Sequence, residues 1–99
     1  MAAYLVSMCK VTNPHDNFKK YIKLSEDMMK SHGGRYIVRG PAVSIYEGDY
    51  LTGLAAIIAE FPTMEMLKGF VESEDYKKNV APLRAGSGVY DIGAYPQSQ

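Results

Sequence analysis

Arg35 and Arg39 stand four residues apart in the stretch "SHGGRYIVRG", with His32 just ahead of them. A guanidinium binds a carboxylate or an enolate through two parallel hydrogen bonds, and an imidazole moves a proton near neutral pH. On a strand, Arg35, Ile37 and Arg39 would share one face because strand side chains alternate. We predict that Arg39 anchors an anionic substrate group, and that His32, or Glu60 at the end of the next strand, is the catalytic proton-transfer group.

The same residues also have a structural interpretation. Arg39 and Glu60 can form an ion pair across the sheet or across a dimer, and His32 can simply end a helix. A bulge predicted at Gly40-Pro41 shifts the register by one residue, so the sequence leaves open whether Arg39 faces Glu60 or Phe61. Both interpretations stay open at this point.

Tyrosine is abundant, with eight residues and no tryptophan in the chain. A tyrosine gives an apolar wall with a polar tip, which suits a pocket for an aromatic or polyketide-like molecule and equally a core or a dimer interface. In "SEDYKKNVAPLR", Tyr76 and Arg84 are about two helical turns apart, with Pro82 as a break. We predict that Tyr76 and Arg84 lie along one side of a helix and bind substrate by shaping the pocket.

Charge and hydropathy argue against several partners. The 11 basic residues balance the 11 acidic ones, and the basic runs are no longer than the pairs Lys19-Lys20 and Lys77-Lys78, so we expect no nucleic-acid binding. The apolar run in "MAAYLVSM" is too short to span a bilayer, has no basic region before it and is closed by a lysine. We therefore predict neither a membrane segment nor a targeting segment.

Cysteine and histidine are too sparse for a predicted metal site or cofactor. His15 and His32 are the two imidazoles, and they fall at opposite ends of a predicted helix. Cys9 is a lone cysteine inside a predicted strand, where a buried apolar role is commoner than a nucleophilic one. One cysteine cannot form an internal disulfide, which favours a reducing, cytoplasmic location.

The hydrophobic pattern predicts four strands, at residues 3–12, 35–40 with a continuation over 42–48, 54–61 and 86–95. A connection of about five residues at 47–53 joins the second and third strands. The first and third strands are apolar at both odd and even positions, as in strands covered on both faces, so we predict that they are the central strands of the sheet. The tail at 96–99 is expected to fray.

Two amphipathic helices fill the gaps between the strands. Asn13 is predicted as the N-cap of the first, which ends near His32 with Gly33 as a left-handed residue. The second follows Pro62-Thr63, and Ser73 caps a further short helix that runs to about Arg84. The inward positions of the second helix are predicted to be Met64, Leu67, Phe70 and Val71.

The element order βαββαβ predicts an α+β, ferredoxin-like protomer over residues 1–99 as one domain. Its antiparallel sheet would have helices on one face and apolar side chains on the other. A chain of this length buries roughly 60–70% of its unfolded surface, so a partner that covers the second face would help stability. We predict a homodimer.

Several motifs in the chain resemble a family of small proteins called domain of unknown function 1330 (DUF1330). The segments "HGGRYIVRG", "EGDY", "EFPTMEMLKGFVESEDY" and "LR" occur in the order typical of the family, between about Tyr4 and Tyr95. Asp75 stands where relatives often have glutamate. The residues that the resemblance carries over are Arg39, Gly40, Glu60, Phe61, Pro62, Tyr76 and Arg84.

The resemblance implies a dimeric α/β barrel, in which two sheets pack against each other and each protomer has a cleft between sheet and helices. The wider superfamily holds cofactor-free monooxygenases, polyketide cyclases, haem-degrading enzymes and decarboxylase- or isomerase-like proteins, and fold alone does not choose among them. The chain lacks the tryptophan on which the haem-degrading members rely.

Together these observations predict a homodimer that binds a small anionic or aromatic metabolite. If it is an enzyme, it is a cofactor-independent lyase, cyclase or isomerase. The alternative is a noncatalytic binding or structural dimer in which Arg39 and Glu60 serve stability.

Overall fold

The computed structural model describes residues 1–99 and has the predicted element order, with two short helical turns before the last strand. The strands are β1 (Ala3–Val11), β2 (Arg35–Pro41), β3 (Ala55–Phe61) and β4 (Gly88–Pro96). The helices are α1 (Asp16–Ser31) and α2 (Met64–Val71), followed by a π-helical turn (Tyr76–Val80) and a 3-10 turn (Ala81–Arg84). None of these helices has the length and apolar character needed to cross a membrane.

The strands form one antiparallel sheet in the order β2-β3-β1-β4, with β1 and β3 in the centre as predicted. The helices cover one face, which confirms the ferredoxin-like α+β fold. Residues that pair across neighbouring strands share a face of the sheet, so the register assigns each side chain to the helix-covered face or to the opposite one. We call the opposite one the open face.

The core lies between α2 and the sheet and contains the residues that the helical spacing predicted. Phe61 and Leu67 are fully buried, Phe70 is 3% exposed, and the rings of Phe61 and Phe70 stack with centroids 5.9 Å apart. Gly34 passes directly over this core, since a Cβ atom there would lie 2.7 Å from Cε2 of Phe61. A side chain at position 34 would therefore displace the core.

The N-cap of α1 is His15, and the prediction of Asn13 is wrong. Nδ1 of His15 accepts a hydrogen bond from the backbone N–H of Phe18 at 2.9 Å, and Nε2 lies 2.8 Å from the carbonyl oxygen of Ala85. Because a carbonyl oxygen only accepts, Nε2 carries the proton and Nδ1 keeps the lone pair that the cap needs. At the other end, Gly33 has φ +83°, which confirms the predicted left-handed residue.

The predicted continuation of β2 over 42–48 is wrong, because β2 ends at Pro41. Pro41 pairs with Ala55, the first residue of β3, so no strand remains for the following residues to pair with. Residues 42–54 instead form a loop of turns and bends. Apolar side chains in this loop are in solvent, and Tyr46 is 90% exposed.

The bulge in β2 lies at Ile37, and the predicted bulge at Gly40-Pro41 is wrong. Tyr36 pairs with Ala59, while Val38 pairs with the neighbouring Ile58, so Ile37 is an extra residue without a partner. Gly40-Pro41 continues the ladder in regular register. An extra residue reverses the alternation of side chains beyond it.

The bulge separates the two arginines, so the prediction that Arg35, Ile37 and Arg39 share a face is wrong. Arg35 pairs with Glu60 on the open face, whereas Arg39 pairs with Ile57 on the helix-covered face. The strand therefore presents one guanidinium to each side of the sheet.

The last strand and its contacts extend into residues 96 and 97 of the tail that the sequence predicts to fray. β4 continues through Pro96. The backbone N–H of Gln97 donates to the carbonyl of Ala2 at 3.1 Å. The side-chain oxygen of Gln97 accepts a hydrogen bond from the backbone N–H of Ala2 at 2.9 Å. These contacts hold the two chain ends together beside the sheet.

Candidate functional site

A cavity of about 200 Å³ lies between the sheet and the helices, and 15 of its 18 lining residues are hydrophobic. Its floor contains every second residue of the central strand β1, as strand geometry requires. These residues are Leu5, Ser7, Cys9 and Val11. The outer strands contribute Tyr36 and Arg39 from β2 and Tyr90 and Ile92 from β4.

Helix α1 covers the cavity with side chains at three- and four-residue spacing, which place them on one helical face. These are Phe18, Tyr21, Ile22, Ser25 and Met29. Phe70 of α2 and Tyr76 of the π-helical turn also line it, with ring centroids 4.8 Å apart. The result is an apolar space walled by aromatic rings.

Arg39 is the charged residue in the cavity lining. Its guanidinium carbon lies 4.5 Å from the centroid of the Tyr36 ring, and Nη1 donates to Oε2 of Glu26 at 3.3 Å. Glu26 also pairs with Lys30 at 3.8 Å, so two cations share its carboxylate. The Arg39 side chain is 47% exposed, so the pair is open to solvent and worth at most about 1 kcal/mol.

Tyr76 and Arg84 meet at the cavity wall, together with Tyr21 of α1. Nη1 of Arg84 donates to the hydroxyls of Tyr21 and Tyr76 at 3.1 Å and 3.0 Å, and the two hydroxyl oxygens are 3.3 Å apart. The guanidinium carbon of Arg84 also lies over the rings of Tyr21 and Tyr90, 5.4 Å and 5.1 Å from their centroids. We call Tyr21, Tyr76 and Arg84 the tyrosine–arginine cluster.

The structure does not bring His32 to Arg39. His32 is the C-cap of α1, and its Nδ1 lies 2.9 Å from the carbonyl oxygen of Met28, to which it must donate. Its ring packs against Phe70 with centroids 5.9 Å apart, and it is not among the residues that line the cavity. This position matches the helix-ending alternative.

Glu60 also lies away from Arg39, because it belongs to the open face. Its Oε1 accepts hydrogen bonds from Nη2 and Nε of Arg35 at 2.9 Å and 3.1 Å. The ion pair considered between Arg39 and Glu60 is therefore not formed, and each residue has another partner. The predicted site splits into the cavity group of Arg39, Tyr76 and Arg84 and two residues outside it.

Sequence reasoning missed Tyr21 and Glu26 as site residues. Tyr21 fits the apolar face of α1 and Glu26 its polar face, so their spacing gave each an ordinary helical role. Both acquire partners far along the chain, Arg84 and Arg39, and only the packing of α1 brings these together. No three His, Cys, Asp or Glu side chains lie close enough to ligate one metal ion.

The thiol of Cys9 and the hydroxyls of Tyr36 and Tyr76 stay protonated at neutral pH. Burial raises the pKa of the Cys9 thiol and of the Tyr36 hydroxyl, in the latter case against a smaller opposing effect of Arg39. For Tyr76, burial and then the Tyr21 hydroxyl raise the pKa well above its ordinary value of 10.0, and Arg84 offsets only part of this. These groups therefore act as hydrogen-bond donors rather than as bases.

The raised pKa of Tyr76 leads us to expect a loss of stability at alkaline pH. The contribution of Tyr76 to the free energy of unfolding is complete below its unfolded-state pKa near 10. It is lost as the pH rises further, because the tyrosine releases its proton in the unfolded chain before it does so in the folded protein. Each such tyrosine removes up to about 1.4 kcal/mol per pH unit in that range. Urea unfolding from pH 8 to 11 should show a shallower decline in Tyr76→Phe than in the unmodified protein.

The matched control for this titration is Tyr46→Phe, since Tyr46 is 90% exposed. Its unfolding free energy should follow that of the unmodified protein across the pH range. Equal slopes for Tyr76→Phe and the unmodified protein would contradict the assignment.

Comparisons with known proteins agree with this fold. The family model described as "Domain of unknown function (DUF1330)" matches residues 2–93. No curated protein has significant sequence similarity to the chain.

Two solved structures illustrate the likeness. A protein of unknown function from Rhodopseudomonas palustris superposes with a TM-score of 0.72 at 14% identity, covering 99% of this chain and 84% of that one. A mutant of SnoaB, a cofactor-independent oxygenase from Streptomyces nogalater, superposes with a TM-score of 0.66 at 14% identity, covering 99% and 94%. At such identities the likeness concerns the fold.

Proposed function

Because the chain belongs to the DUF1330 family, whose description names no activity, we propose a function from the cavity itself. The protein binds a small aromatic or otherwise apolar molecule that carries an anionic group. The observation that carries this proposal is an apolar cavity with a guanidinium, that of Arg39, in its lining.

The volume and the walls of the cavity set the size and the polarity of the ligand. A dry cavity of about 150 Å³ is enough to hold benzene, so about 200 Å³ suits one aromatic ring or two fused rings. Rings in the wall, such as those of Phe70 and Tyr36, offer faces and edges for stacking. A flat, mostly apolar ligand fits this environment best.

Arg39 supports the anionic part of the proposal. The guanidinium of Arg39 packs against the ring of Tyr36. Its ion-pair partner, Glu26, forms a second ion pair with Lys30. A ligand carboxylate can therefore take two hydrogen bonds from Arg39 while Glu26 keeps a second cation. Since the existing pair is exposed and weak, displacing it costs little free energy.

The geometry supports binding better than acid–base catalysis. The cavity lining contains no carboxylate and no imidazole, and the predicted proton-transfer residues His32 and Glu60 lie outside it. The likeness to a cofactor-independent oxygenase is a likeness of fold, which does not carry chemistry with it. Binding is therefore the function that we propose.

The proposal includes a homodimer formed through the open face. The centre of this face is apolar, and its residues include Val6, Met8, Ala56 and Ile58. Charged residues surround it, with Arg35 and Glu60 at one end, Lys10 at the other end and Asp91 on the edge strand β4. An apolar centre with a charged rim is the pattern of an interface between subunits. The proposal also places the protein in the cytoplasm, where a free thiol such as that of Cys9 is maintained.

Isothermal titration calorimetry of the protein with benzoate and with 2-naphthoate tests the proposal. We expect Arg39→Gln to weaken binding of 2-naphthoate by about 10- to 100-fold, the usual cost of losing hydrogen bonds to a charged group. Arg35→Gln is the matched control, since it removes a paired guanidinium from the same strand on the opposite face. It should leave binding unchanged.

Two results would contradict the proposal. Failure of both carboxylates to bind at millimolar concentration would show that the cavity is not such a ligand site. Equal losses of affinity in Arg39→Gln and Arg35→Gln would contradict the role assigned to Arg39.

A further inference from the structure

The tyrosine–arginine cluster holds a positive charge that no carboxylate neutralises. None of the five ion pairs in the structure includes Arg84, although this residue is only partly exposed. Charged groups that are withdrawn from water usually have a charged partner. Here the guanidinium faces the hydroxyls of Tyr21 and Tyr76 and two aromatic rings instead.

The cluster also has one hydrogen-bond donor to spare. Both hydroxyl oxygens accept from Arg84, and the two hydroxyls contact each other, so one hydroxyl proton lies between them. The second hydroxyl proton has no acceptor in the protein, because neither tyrosine makes another hydrogen bond. Tyr21 and Tyr76 both line the cavity, and Tyr76 is only 5% exposed.

Arg84 makes this spare donor stronger than an ordinary tyrosine hydroxyl. A cation that donates to a hydroxyl oxygen draws electrons from it and makes its proton a better donor, and the low polarity of the cavity increases the effect. The Tyr76 hydroxyl stays protonated, since burial raises its pKa. The preferred partner of such a donor is an electron-rich oxygen, such as a phenol, a ketone or an enolate.

Arg39 and Arg84, the guanidinium of the tyrosine–arginine cluster, lie toward opposite edges of the sheet. Arg39 belongs to β2, and Arg84 stacks on Tyr90 of β4, while β3 and β1 lie between these strands. A ligand that touches both groups therefore needs oxygen atoms on opposite sides of its ring system.

Building on the proposed function, we infer that the ligand is an aromatic or enolic carboxylic acid with a second oxygen opposite the carboxylate, held by the spare hydroxyl proton of the Tyr21–Tyr76 pair. Arg39 takes the carboxylate, and the tyrosine–arginine cluster takes the phenol, keto or enolate oxygen. Tyr21 and Tyr76 thereby determine specificity.

The test compares ligand pairs that differ by one hydroxyl: 6-hydroxy-2-naphthoate against 2-naphthoate, and 4-hydroxybenzoate against benzoate. We expect the hydroxylated member of at least one pair to bind the unmodified protein about tenfold more tightly. Replacing both tyrosines, in Tyr21→Phe/Tyr76→Phe, should abolish this preference while 2-naphthoate still binds. The single variants show which hydroxyl donates, and they replace the double variant if it does not fold.

Tyr90→Phe is the matched control. Tyr90 lines the same cavity, but its hydroxyl is engaged with Ser87, whose own hydroxyl donates to the carbonyl of Arg84. This variant should keep the preference for the hydroxylated ligands. An equal loss in Tyr90→Phe would overturn the assignment to the Tyr21–Tyr76 pair.

The outcomes separate the inference from the proposed function. If the carboxylates bind but added hydroxyls bring no preference, or if the preference survives in every tyrosine variant, the inference is wrong and the proposed function stands. If none of the four compounds binds, the proposed function fails and the inference fails with it.

Discussion

Replacing Ile58 by lysine is expected to convert the proposed dimer into a monomer of 11.0 kDa. Ile58 lies in the centre of the open face, paired with Val6 on one side and Val38 on the other. A lysine there remains solvated in the monomer but would be buried without a partner between two sheets. Such a charge costs roughly 3–5 kcal/mol, which weakens association at least 100-fold.

Sedimentation velocity at micromolar concentration measures this change. Leu24→Lys is the control, since Leu24 is a 45% exposed residue of α1, away from the open face. It should leave the mass at twice 11.0 kDa. A monomeric unmodified protein, or dimers that persist in Ile58→Lys, would exclude the open face as the interface.

Phe61→Ala is expected to cause the largest loss of folding stability, about 3–5 kcal/mol. Phe61 is fully buried and stacks on Phe70, and its ring fills the space above Gly34. Truncation removes this apolar contact and leaves a void that the backbone cannot fill. Since the free energy of unfolding of a native domain is about 5–15 kcal/mol in total, the variant should be close to unfolding.

Urea unfolding followed by circular dichroism measures this loss. Met66→Ala is the comparison, because Met66 is an apolar residue of α2 that is 44% exposed. Its truncation should change the unfolding free energy by no more than about 0.5 kcal/mol. Similar losses in the two variants would contradict the placement of the core at Phe61.

Much of the fold could be predicted from local patterns. The spacing of Leu67 and Phe70 placed them in the core, and the two-sided apolar character of β1 and β3 placed these strands in the centre. Each of these inferences depends on residues close together in the chain. Such patterns are set by the geometry of a single helix or strand.

The errors arose where distant residues decide the outcome. Ile37 is a good strand former and gives no sign of a bulge, whereas Gly40-Pro41 looks like an interruption and still pairs regularly. The apolar residues in 42–48 resemble a strand, but β3 has no residue left to pair with them. Strand length depends on the partner as well as on the segment itself.

The candidate site was predictable in part for the same reason. Tyr76 and Arg84 come from one short helical segment, so their spacing placed them along one side of it, where the structure has them in contact. Tyr21 contacts Arg84 from α1, at a separation of 63 residues in the sequence. A contact between residues so far apart in the chain leaves no local sequence pattern from which it could be predicted. The proposed positions of Arg39 and Glu60 depended on register, which the bulge changed.

The bulge at Ile37 affects how relatives of this protein should be compared. Arg35 and Arg39 are the same residue type on the same strand, and the bulge between them turns one toward the cavity and the other toward the open face. A relative with two arginines at the same four-residue spacing but with no bulge between them would present both to one face of its sheet. Aligned letters at this position therefore identify equivalent side chains only when the strand also contains the bulge. In this strand the loss of the bulge at unchanged spacing can alter ligand recognition more than a substitution does.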